Sequence, residues 1–461
     1  MTRVRTVLRR NSSRPARGRA RTLSPDWSAA MLTLITVLML AVFLAVILSK
    51  RTSVLVALVL VPIVFAVVAG FGGSIDTIVT EGIAKVAPTA ALIFFAILFF
   101  AVLLDAGIFD PVINLLRRIM KADPLRIVVC TAVLTLLVAV DGDGSSTYII
   151  VVTALLGVYR RFGLRLEVLA TVAVMSAGTA TLLPWGGPVI KAAVSLDVDV
   201  SELYFPLIVP QLAGVSAVIG FSYLLGRSER KRLGGNVATA IEGIDYDGLD
   251  NDDSSLRRPK LFWVNVVLAL AVMIPLIAGW VAPVFLFISG AAVALVLNYP
   301  NLTIQRDLLA RHAPNMIPVT SLIFAAGVFT GVLAETGMAE SLALSMTSLV
   351  PESAGNFIPL ATALLAFPLT FIIQQDTFYF AVLPVLSSTA TEFGVSPESI
   401  ARASVVAQPL HAFSPTVAAL FVLLGLMRMD YGVIFKFGAK YGFGVSVVIL
   451  MTALATGAVP L

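Results

Sequence analysis

The sequence contains very few of the residues that build disulfides and metal centres. It has one cysteine and two histidines among 461 residues, and only 13% of its residues are charged. A single cysteine excludes a disulfide framework and a thiolate metal site, and two histidines exclude a histidine-rich metal centre. An intramembrane enzyme would need a nucleophile with a base or a cluster of metal ligands, and the sequence offers neither. The sequence therefore predicts that the protein is not an enzyme.

Apolar residues dominate instead, with 58% hydrophobic residues and a mean hydropathy of +0.97. A soluble protein has about 25% charged residues, so a water-soluble fold is excluded. Because one helical crossing of a bilayer needs about 20 apolar residues, the recurring apolar runs predict an all-α, polytopic, multi-pass protein whose partner is the lipid bilayer. The formal net charge of +5 then reports topology through the positive-inside rule, and we expect no nucleic-acid partner.

Two polar segments interrupt the apolar pattern. Residues 1–28 contain eight arginines and almost no apolar residues, which predicts a disordered basic arm. Most of the other basic residues fall in loops that can share the cytoplasmic side, but the same topology would place this arm outside. Either the arm is translocated, or a further feature changes its path, or the natural start is Met31, which we favour. Residues 227–260 have basic ends and an acidic middle, which predicts a cytoplasmic linker between two halves.

The two halves are related by an internal repeat. Residues 88–108 align with residues 318–338 at a separation of 230, and the matches include Pro88 with Pro318, Asp105 with Glu335 and Gly107 with Gly337. We therefore expect two repeats, at 29–226 and 261–461, each with five spans and one re-entrant hairpin, near 125–159 and 357–391. Five spans per repeat would invert the second copy relative to the first, an arrangement found in secondary transporters.

The first hairpin tip is rich in polar groups. It reads Asp141-Gly-Asp143-Gly-Ser145-Ser146-Thr147. A charge at membrane depth costs several kcal/mol, so two carboxylates there indicate a functional site. We expect Asp141 and Asp143 to bind a metal and Ser145, Ser146 and Thr147 to bind substrate. An exposed loop with an ordinary turn sequence is the alternative.

The second tip, Gln374 to Phe380, again offers a carboxylate and a hydroxyl, Asp376 and Thr377. We expect both side chains to bind substrate and Asp376 to act also as a metal ligand. For Gln374 and Gln375 the alternative is that they only form local hydrogen bonds at a helix end.

Each half has a second interruption, at residues 183–188 and 408–416. Prolines and glycines at this density do not continue a helix, so we expect unwound segments that face the tips. Their candidate substrate-binding residues are Gly186, Gly187, His411 and Ser414. His411 suits either a proton carrier or a hydrogen bond to a freed carbonyl. Lys191 would either contact an anionic substrate or extend its side chain outward to the membrane surface.

The charges of the site bear on the substrate. Three intramembrane carboxylates, Asp141, Asp143 and Asp376, would repel a bare polyanion, whereas half-helix N-termini favour an anion. Both are satisfied if an anion and a cation enter together, as in a carboxylate chelated to a divalent metal or accompanied by Na⁺ or H⁺. Asp143, Asp376 and His411 are the candidates for proton coupling, because they titrate.

Four segments resemble the bacterial citrate–metal:proton symporter family, within the wider ion-transporter superfamily. They are VDGDGSSTY (140–148), LLPWGGP (182–188), QDTFYFAVLPVL (375–386) and ARASVVAQPLHAFSP (401–415). The resemblance implies clamshell hairpin tips, a dimeric scaffold and elevator-like movement in the bacterial inner (plasma) membrane. It also implies symport of citrate, complexed with a divalent or trivalent metal, with protons, and no permanently bound cofactor. The chain departs from the family pattern at Gln374-Gln375.

Other transport functions are alternatives to this expectation. A sodium-coupled di- or tricarboxylate carrier, or an inorganic-ion carrier, would use the same scaffold. A channel is harder to exclude from the sequence. Saturable uptake with counterflow would argue against a channel.

Overall fold

The computed structural model describes residues 29–49, 51–120, 123–142, 144–234, 254–277, 280–347 and 351–460. The predicted basic arm at 1–28, the middle of the predicted linker at 235–253 and Asp143 lie outside the described residues. Within the described residues the regular structure is entirely helical. The expectation of an all-α fold is confirmed.

The helices follow one another with short connections. In the described residues of the first half they are α1 (Ala29–Leu48), α2 (Val54–Ala66), α3 (Ile75–Asp105), α4 (Asp110–Met120), α5 (Pro124–Val138), α6 (Gly144–Arg161), α7 (Leu166–Ala180), α8 (Gly187–Leu196), α9 (Val200–Tyr204) and α10 (Ile208–Leu233). In the second half they are α11 (Phe262–Ile277), α12 (Pro283–Asn298), α13 (Leu302–Glu335), α14 (Met338–Thr347), α15 (Ile358–Ile372), α16 (Gln375–Thr377), α17 (Leu383–Glu392), α18 (Pro397–Val405), α19 (Gln408–His411), α20 (Ala418–Met427) and α21 (Tyr431–Ala455). A π-helical turn, Phe378–Val382, joins α16 to α17.

Seven helical stretches among the described residues are long and apolar enough to cross a bilayer. Shorter apolar helices, such as α5 and α8, accompany them. Many of the outward-facing side chains of α1, α2, α11 and α12 are large and apolar, as expected for helices that contact lipid rather than water. The expectation of a multi-pass membrane protein is confirmed at this level.

The two longest helices, α3 and α13, pack directly on each other. A methyl group on Gly82 of α3 would overlap the carbonyl oxygen of Gly327 and lie 3.0 Å from the Cα atom of Gly331. Small residues at such a crossing allow two helix backbones to approach closely. Because residues near the start of α3 meet residues near the end of α13, the two helices run antiparallel.

A histidine–carboxylate hydrogen bond holds one end of this antiparallel pair, and an ion pair holds the other. At one end His312 Nε2 lies 2.7 Å from Asp105 Oδ2, and at the other Lys85 Nζ lies 3.0 Å from Glu335 Oε1. The two acids are the residues that the repeat aligns. They join α3 to α13 and belong to the helix packing.

The predicted hairpins coincide with two pairs of helices. The first hairpin consists of α5 and α6, and the second of α15 and the continuous helix formed by α16 and α17. α5 has 15 residues, which corresponds to about 22 Å and is short of the roughly 30 Å hydrocarbon core. α15 also has 15 residues, but with the end of the 3₁₀ turn before it the helical stretch Gly355–Ile372 has 18 and is one of the seven counted above. Their re-entrant path, and the inverted relation of the two halves, stay predictions.

The predicted interruptions, 183–188 and 408–416, only partly coincide with non-helical backbone, because Gly187 and Pro188 begin α8 and residues 408–411 form α19. The first break, residues 181–186, separates α7 from α8, and the second break, residues 406–417, lies between α18 and α20 and contains the short α19. α18 packs on α8 and α20 packs on α6. Helices that flank the breaks therefore contact the other half of the chain, and α20 contacts the first hairpin.

The predicted linker is more ordered at its ends than its composition indicates. α10 continues to Leu233, and its Glu229 carboxylate is fully buried against Arg165 and Arg232. At the other end the Arg258 backbone N–H donates to Ala106 O at 3.0 Å, and the Arg258 guanidinium lies 4.8 Å from the centre of the Tyr299 ring. These contacts attach the linker ends to the helices on either side.

Candidate functional site

The tip of the first hairpin is a tight turn. α5 ends at Val138, a single 3₁₀ turn covers Ala139–Asp141, and Gly142 has a φ of 80°, a left-handed conformation that glycine adopts at little cost. The backbone of Asp141 lies in this turn, but its side chain is outside the described part of the chain, as is Asp143. The predicted carboxylates of this tip therefore keep the status of predictions.

The predicted polar residues of this tip occupy the first turn of α6. Ser145 and Ser146 are half-buried and Thr147 is fully buried. The first N–H groups of a helix have no intrahelical partner and carry a partial positive charge. This end of α6 is therefore suited to an anionic group.

The tip of the second hairpin contains an extended link. After α15 ends at Ile372, residues 373 and 374 are extended, and α16 begins at Gln375. An extended link removes the N–H donors that would satisfy the last carbonyls of α15. The tip therefore needs donors from elsewhere in the fold.

His411 and Ser414 of the second break supply them. His411 Nδ1 lies 2.6 Å from Thr370 O, and Ser414 Oγ lies 2.6 Å from Phe371 O. A carbonyl only accepts, so Nδ1 carries the ring proton and donates. Of the two interpretations of His411, the structure shows the hydrogen bond to a freed carbonyl. Its predicted roles in substrate binding and proton coupling, and the substrate role of Ser414, are not tested by this contact.

Lys191 of α8 reaches the second tip. Its Nζ atom lies 2.5 Å from Asp376 Oδ1 and 3.2 Å from Gln375 Oε1. The lysine therefore points into the candidate site and does not snorkel to the surface. The contact joins a helix of the first half to the hairpin tip of the second.

A chain of hydrogen bonds continues from this ion pair. Gln375 Nε2 donates to Gln408 Oε1 at 2.8 Å, and Gln408 Nε2 donates to the Tyr379 hydroxyl at 3.0 Å. Tyr379 in turn donates to Ser404 O at 3.4 Å. Each donor in the chain points away from the lysine, a direction that a cation at its start favours. Sequence reasoning missed Gln408, although its place before Pro409 in a break was a usable signal.

The two predicted glycines of the first break have different surroundings. A methyl group on Gly186 would overlap the Thr181 carbonyl oxygen and lie 2.9 Å from Leu183 O, whereas a methyl group on Gly187 would have no atom of the described chain within 4 Å. Gly186 is therefore required by the turn. Gly187 borders open space at the start of α8, where a ligand could approach the backbone.

Thr147 and Thr377 are 230 residues apart, which is the separation of the internal repeat predicted from the sequence. Each follows the hairpin tip by one turn or less, and both side chains are fully buried. Among the described residues neither hydroxyl has a hydrogen-bond partner. A buried hydroxyl without a partner is unfavourable, so both hydroxyls suit a ligand at the site.

Trp185 connects the first break to its surroundings. Its indole Nε1 donates to Val140 O at 2.7 Å. Its ring lies 5.0 Å from that of Phe100 on α3 and 5.4 Å from that of Phe287 on α12. The tryptophan thus joins the first hairpin tip to the helices behind it.

The described residues contain no group of three or more histidine, cysteine, aspartate or glutamate side chains that could hold a metal. Of the three predicted metal ligands, only Asp376 has a described side chain. That side chain contacts a lysine. The predicted metal site at Asp141, Asp143 and Asp376 is therefore not tested.

Comparison with solved structures places the fold among transporters. The YdaH transporter of Alcanivorax borkumensis matches with a TM-score of 0.56 and 14% identity, over 92% of this chain and 97% of that one. MtrF of Neisseria gonorrhoeae matches with a TM-score of 0.57 and 14% identity, over 82% and 83%. At this identity the likeness concerns the fold alone.

Comparison with known families and sequences is more specific. The citrate transporter family model matches residues 43–407. A citrate transporter of Bacillus subtilis is 40% identical over 93% of this chain and 99% of its own length. The Mg²⁺/citrate complex secondary transporter of the same organism is 43% identical over 92% and 98%. The protein is accordingly a multi-pass membrane transporter rather than an enzyme, and it belongs to the citrate transporter family.

Proposed function

We propose that the protein is a symporter that takes up citrate, complexed with a divalent or trivalent metal, together with protons across the bacterial inner membrane. The relative named as an Mg²⁺/citrate complex transporter supports the substrate, because the match extends over almost the whole of both chains. The observation that carries the proposal is the pairing of Lys191 with Asp376 where the second hairpin tip meets α8 and the second break. A site with fixed charges of both signs suits a ligand that is itself an anion bound to a cation.

The proposed roles follow the two tips. Metal would be held by Asp141, Asp143 and Asp376. Citrate would contact the hydroxyls at the start of α6 and of α16, the open backbone at Gly187, and the second break. The residues in this second set are Ser145, Ser146, Thr147, Gly186, Gly187, Asp376, Thr377, His411 and Ser414. Protons would be carried by Asp143, Asp376 and His411.

The proposed mechanism is alternating access by an elevator-like movement. The two hairpins and the two breaks would move as one unit against a scaffold built around α3 and α13. Each chain would contain two inverted repeats, and two chains would form a homodimer. The contacts of α18 with α8 and of α20 with α6 support one unit, and the close packing of α3 on α13 supports a rigid scaffold.

The test is uptake of radiolabelled citrate into proteoliposomes under an imposed pH gradient. Mg²⁺, Ca²⁺, Fe³⁺ or a chelator is added in turn. We expect uptake that requires a metal and collapses with a protonophore. Uptake that ignores the metal but depends on Na⁺ would select a sodium-coupled carrier, and a lack of citrate uptake would contradict the proposal.

A single substitution tests the first tip. Asp143→Asn removes one predicted metal ligand and proton carrier while keeping the shape of the side chain. We expect coupled uptake to be lost while the protein still inserts and purifies normally. Unchanged uptake would remove Asp143 from the mechanism.

A further inference from the structure

The ion pair between Lys191 and Asp376 differs in position from the other ion pairs of the described chain. Its side chains are 18% and 24% exposed, and it lies where α8 meets the second hairpin tip. The pair Lys85 and Glu335, by contrast, joins the outer ends of α3 and α13 and is 43% and 36% exposed. The first pair is therefore placed within the proposed transport site, and the second is not.

The pair solves a problem that a symporter meets when its site is empty. A carboxylate that binds a cation during uptake loses that cation on release, and an unpaired charge is costly in a protein interior at membrane depth. The carrier must nevertheless return empty for the next cycle. The Lys191 ammonium lies 2.5 Å from Asp376 Oδ1, a position in which it supplies the positive charge that a bound cation would otherwise supply.

We propose that Lys191 is a tethered counter-ion, which neutralises Asp376 in the empty carrier and thereby allows it to reorient without substrate. The proposal rests on the proposed symport function and adds a residue to it. When the transported cation binds, it replaces the ammonium on Asp376. The carboxylate is thus paired in the empty and in the loaded carrier alike.

The neighbouring hydrogen bonds suit this exchange of partners. The ammonium pairs with Asp376 by charge and donates a hydrogen bond to Gln375 Oε1 at 3.2 Å, so it keeps an acceptor at the tip when Asp376 is occupied. Gln375 is itself held by Gln408 of the second break. The lysine can therefore leave the carboxylate without losing every polar contact.

This role predicts a specific transport defect. Loss of the lysine charge leaves Asp376 unpaired only when the site is empty, because the loaded carrier brings its own cation. Exchange of external for internal substrate uses the loaded carrier in both directions. Net uptake requires the empty carrier to return. A variant without the charge should therefore keep exchange and lose net uptake.

The experiment compares two assays on the same proteoliposomes. Counterflow measures entry of radiolabelled Mg²⁺–citrate into vesicles loaded with unlabelled Mg²⁺–citrate. Net uptake is measured as the entry of radiolabelled Mg²⁺–citrate into vesicles without internal citrate, under the imposed pH gradient of the uptake test. For Lys191→Gln we expect the ratio of net uptake to counterflow to fall about tenfold or more. The reason is that the empty carrier would have to reorient with the Asp376 charge unpaired at membrane depth, which is costly.

Two variants serve as controls. Lys191→Arg keeps the charge and should keep the ratio of the unsubstituted protein. Lys85→Gln also removes a lysine from a lysine–carboxylate pair, but outside the site, and should leave the ratio unchanged.

The possible results separate the proposal from the function on which it rests. An unsubstituted protein that shows neither counterflow nor net uptake with the citrate complex of Mg²⁺, Ca²⁺ or Fe³⁺ contradicts the proposed symport. If that protein is active, an unchanged ratio in Lys191→Gln overturns the counter-ion role. Equal loss of both activities also overturns it, because Lys191 would then be needed to bind substrate.

A chemical version keeps the test independent of folding. The chain has one cysteine, Cys130, so Lys191→Cys in a Cys130→Ala background gives a single reactive thiol in a protein that is already folded and reconstituted. Aminoethyl methanethiosulfonate restores a positive charge and should restore net uptake. Methyl methanethiosulfonate adds a neutral group and should not. Equal effects of the two reagents would overturn the proposal.

Discussion

Two adjacent glycines in the first break should respond oppositely to the same substitution. A methyl group on Gly186 would overlap the Thr181 carbonyl oxygen and lie 2.9 Å from Leu183 O, and neither atom belongs to a flexible side chain. Overpacking of this kind costs about 1–3 kcal/mol. Gly187→Ala meets open space at the start of α8. It should stabilise the fold by about 0.4–1 kcal/mol, because alanine restricts the unfolded chain.

In contrast to its effect on stability, Gly187→Ala should impair substrate binding. The methyl group of Gly187→Ala would occupy the space in which citrate is proposed to approach the first N–H groups of α8. Loss of one hydrogen bond to a charged group costs about 1.5–3 kcal/mol, which raises the apparent KM for citrate about tenfold or more.

The assay combines thermal melting in detergent with uptake kinetics in proteoliposomes. We expect Gly186→Ala to melt at a lower temperature than the unsubstituted protein, and Gly187→Ala to melt at the same temperature or above and to show the raised KM. A Gly186→Ala protein of normal stability would refute the steric argument. A Gly187→Ala protein with normal KM would remove that glycine from the substrate site.

Two further substitutions test single hydrogen bonds. Trp185→Phe removes the hydrogen bond to Val140 O but keeps an aromatic ring against α3 and α12. It should lower the free energy of unfolding by about 1 kcal/mol, which thermal melting measures. An unchanged melting temperature would show that the hydrogen bond contributes nothing to stability. Ser414→Ala leaves Phe371 O without its donor and should cost about 1–3 kcal/mol. Ser216→Ala, on an exposed part of α10, is the matched control, and equal effects of the two serine substitutions would contradict the role of Ser414.

The positions of the hairpins and breaks could be predicted from the sequence because proline, glycine and polar residues interrupt apolar runs there. The first hairpin, expected near 125–159, begins at Pro124 and ends at Arg161. The starts of α3 and α13 could not be predicted in the same way. Apolar runs begin at about 86 and 316, whereas the helices begin at Ile75 and Leu302. Their first turns contain charged and polar residues, and hydropathy does not register a polar helix.

Side-chain contacts between the two halves could not be predicted from the sequence, for a different reason. Hydropathy places Lys191 and Asp376 on separate elements, and only the packing of α8 against the second hairpin brings them together. For His411 the sequence left two interpretations open. The choice depended on which carbonyls α15 leaves without donors, and therefore on where that helix ends.

The internal repeat predicted from the sequence relates some residues of the site but not its charged groups. At a separation of 230 or 231 residues, Thr147 corresponds to Thr377, whereas Asp376 corresponds to a serine of the first tip and Lys191 to Val422. The buried hydroxyls are therefore shared by both halves, and the charged groups are not. An ion pair between Lys191 and Asp376 has no counterpart that the predicted repeat would generate, so the two tips differ in the charged groups that they present. A carrier that moves an anion and a cation together needs such a difference, because two identical tips would favour the same partner.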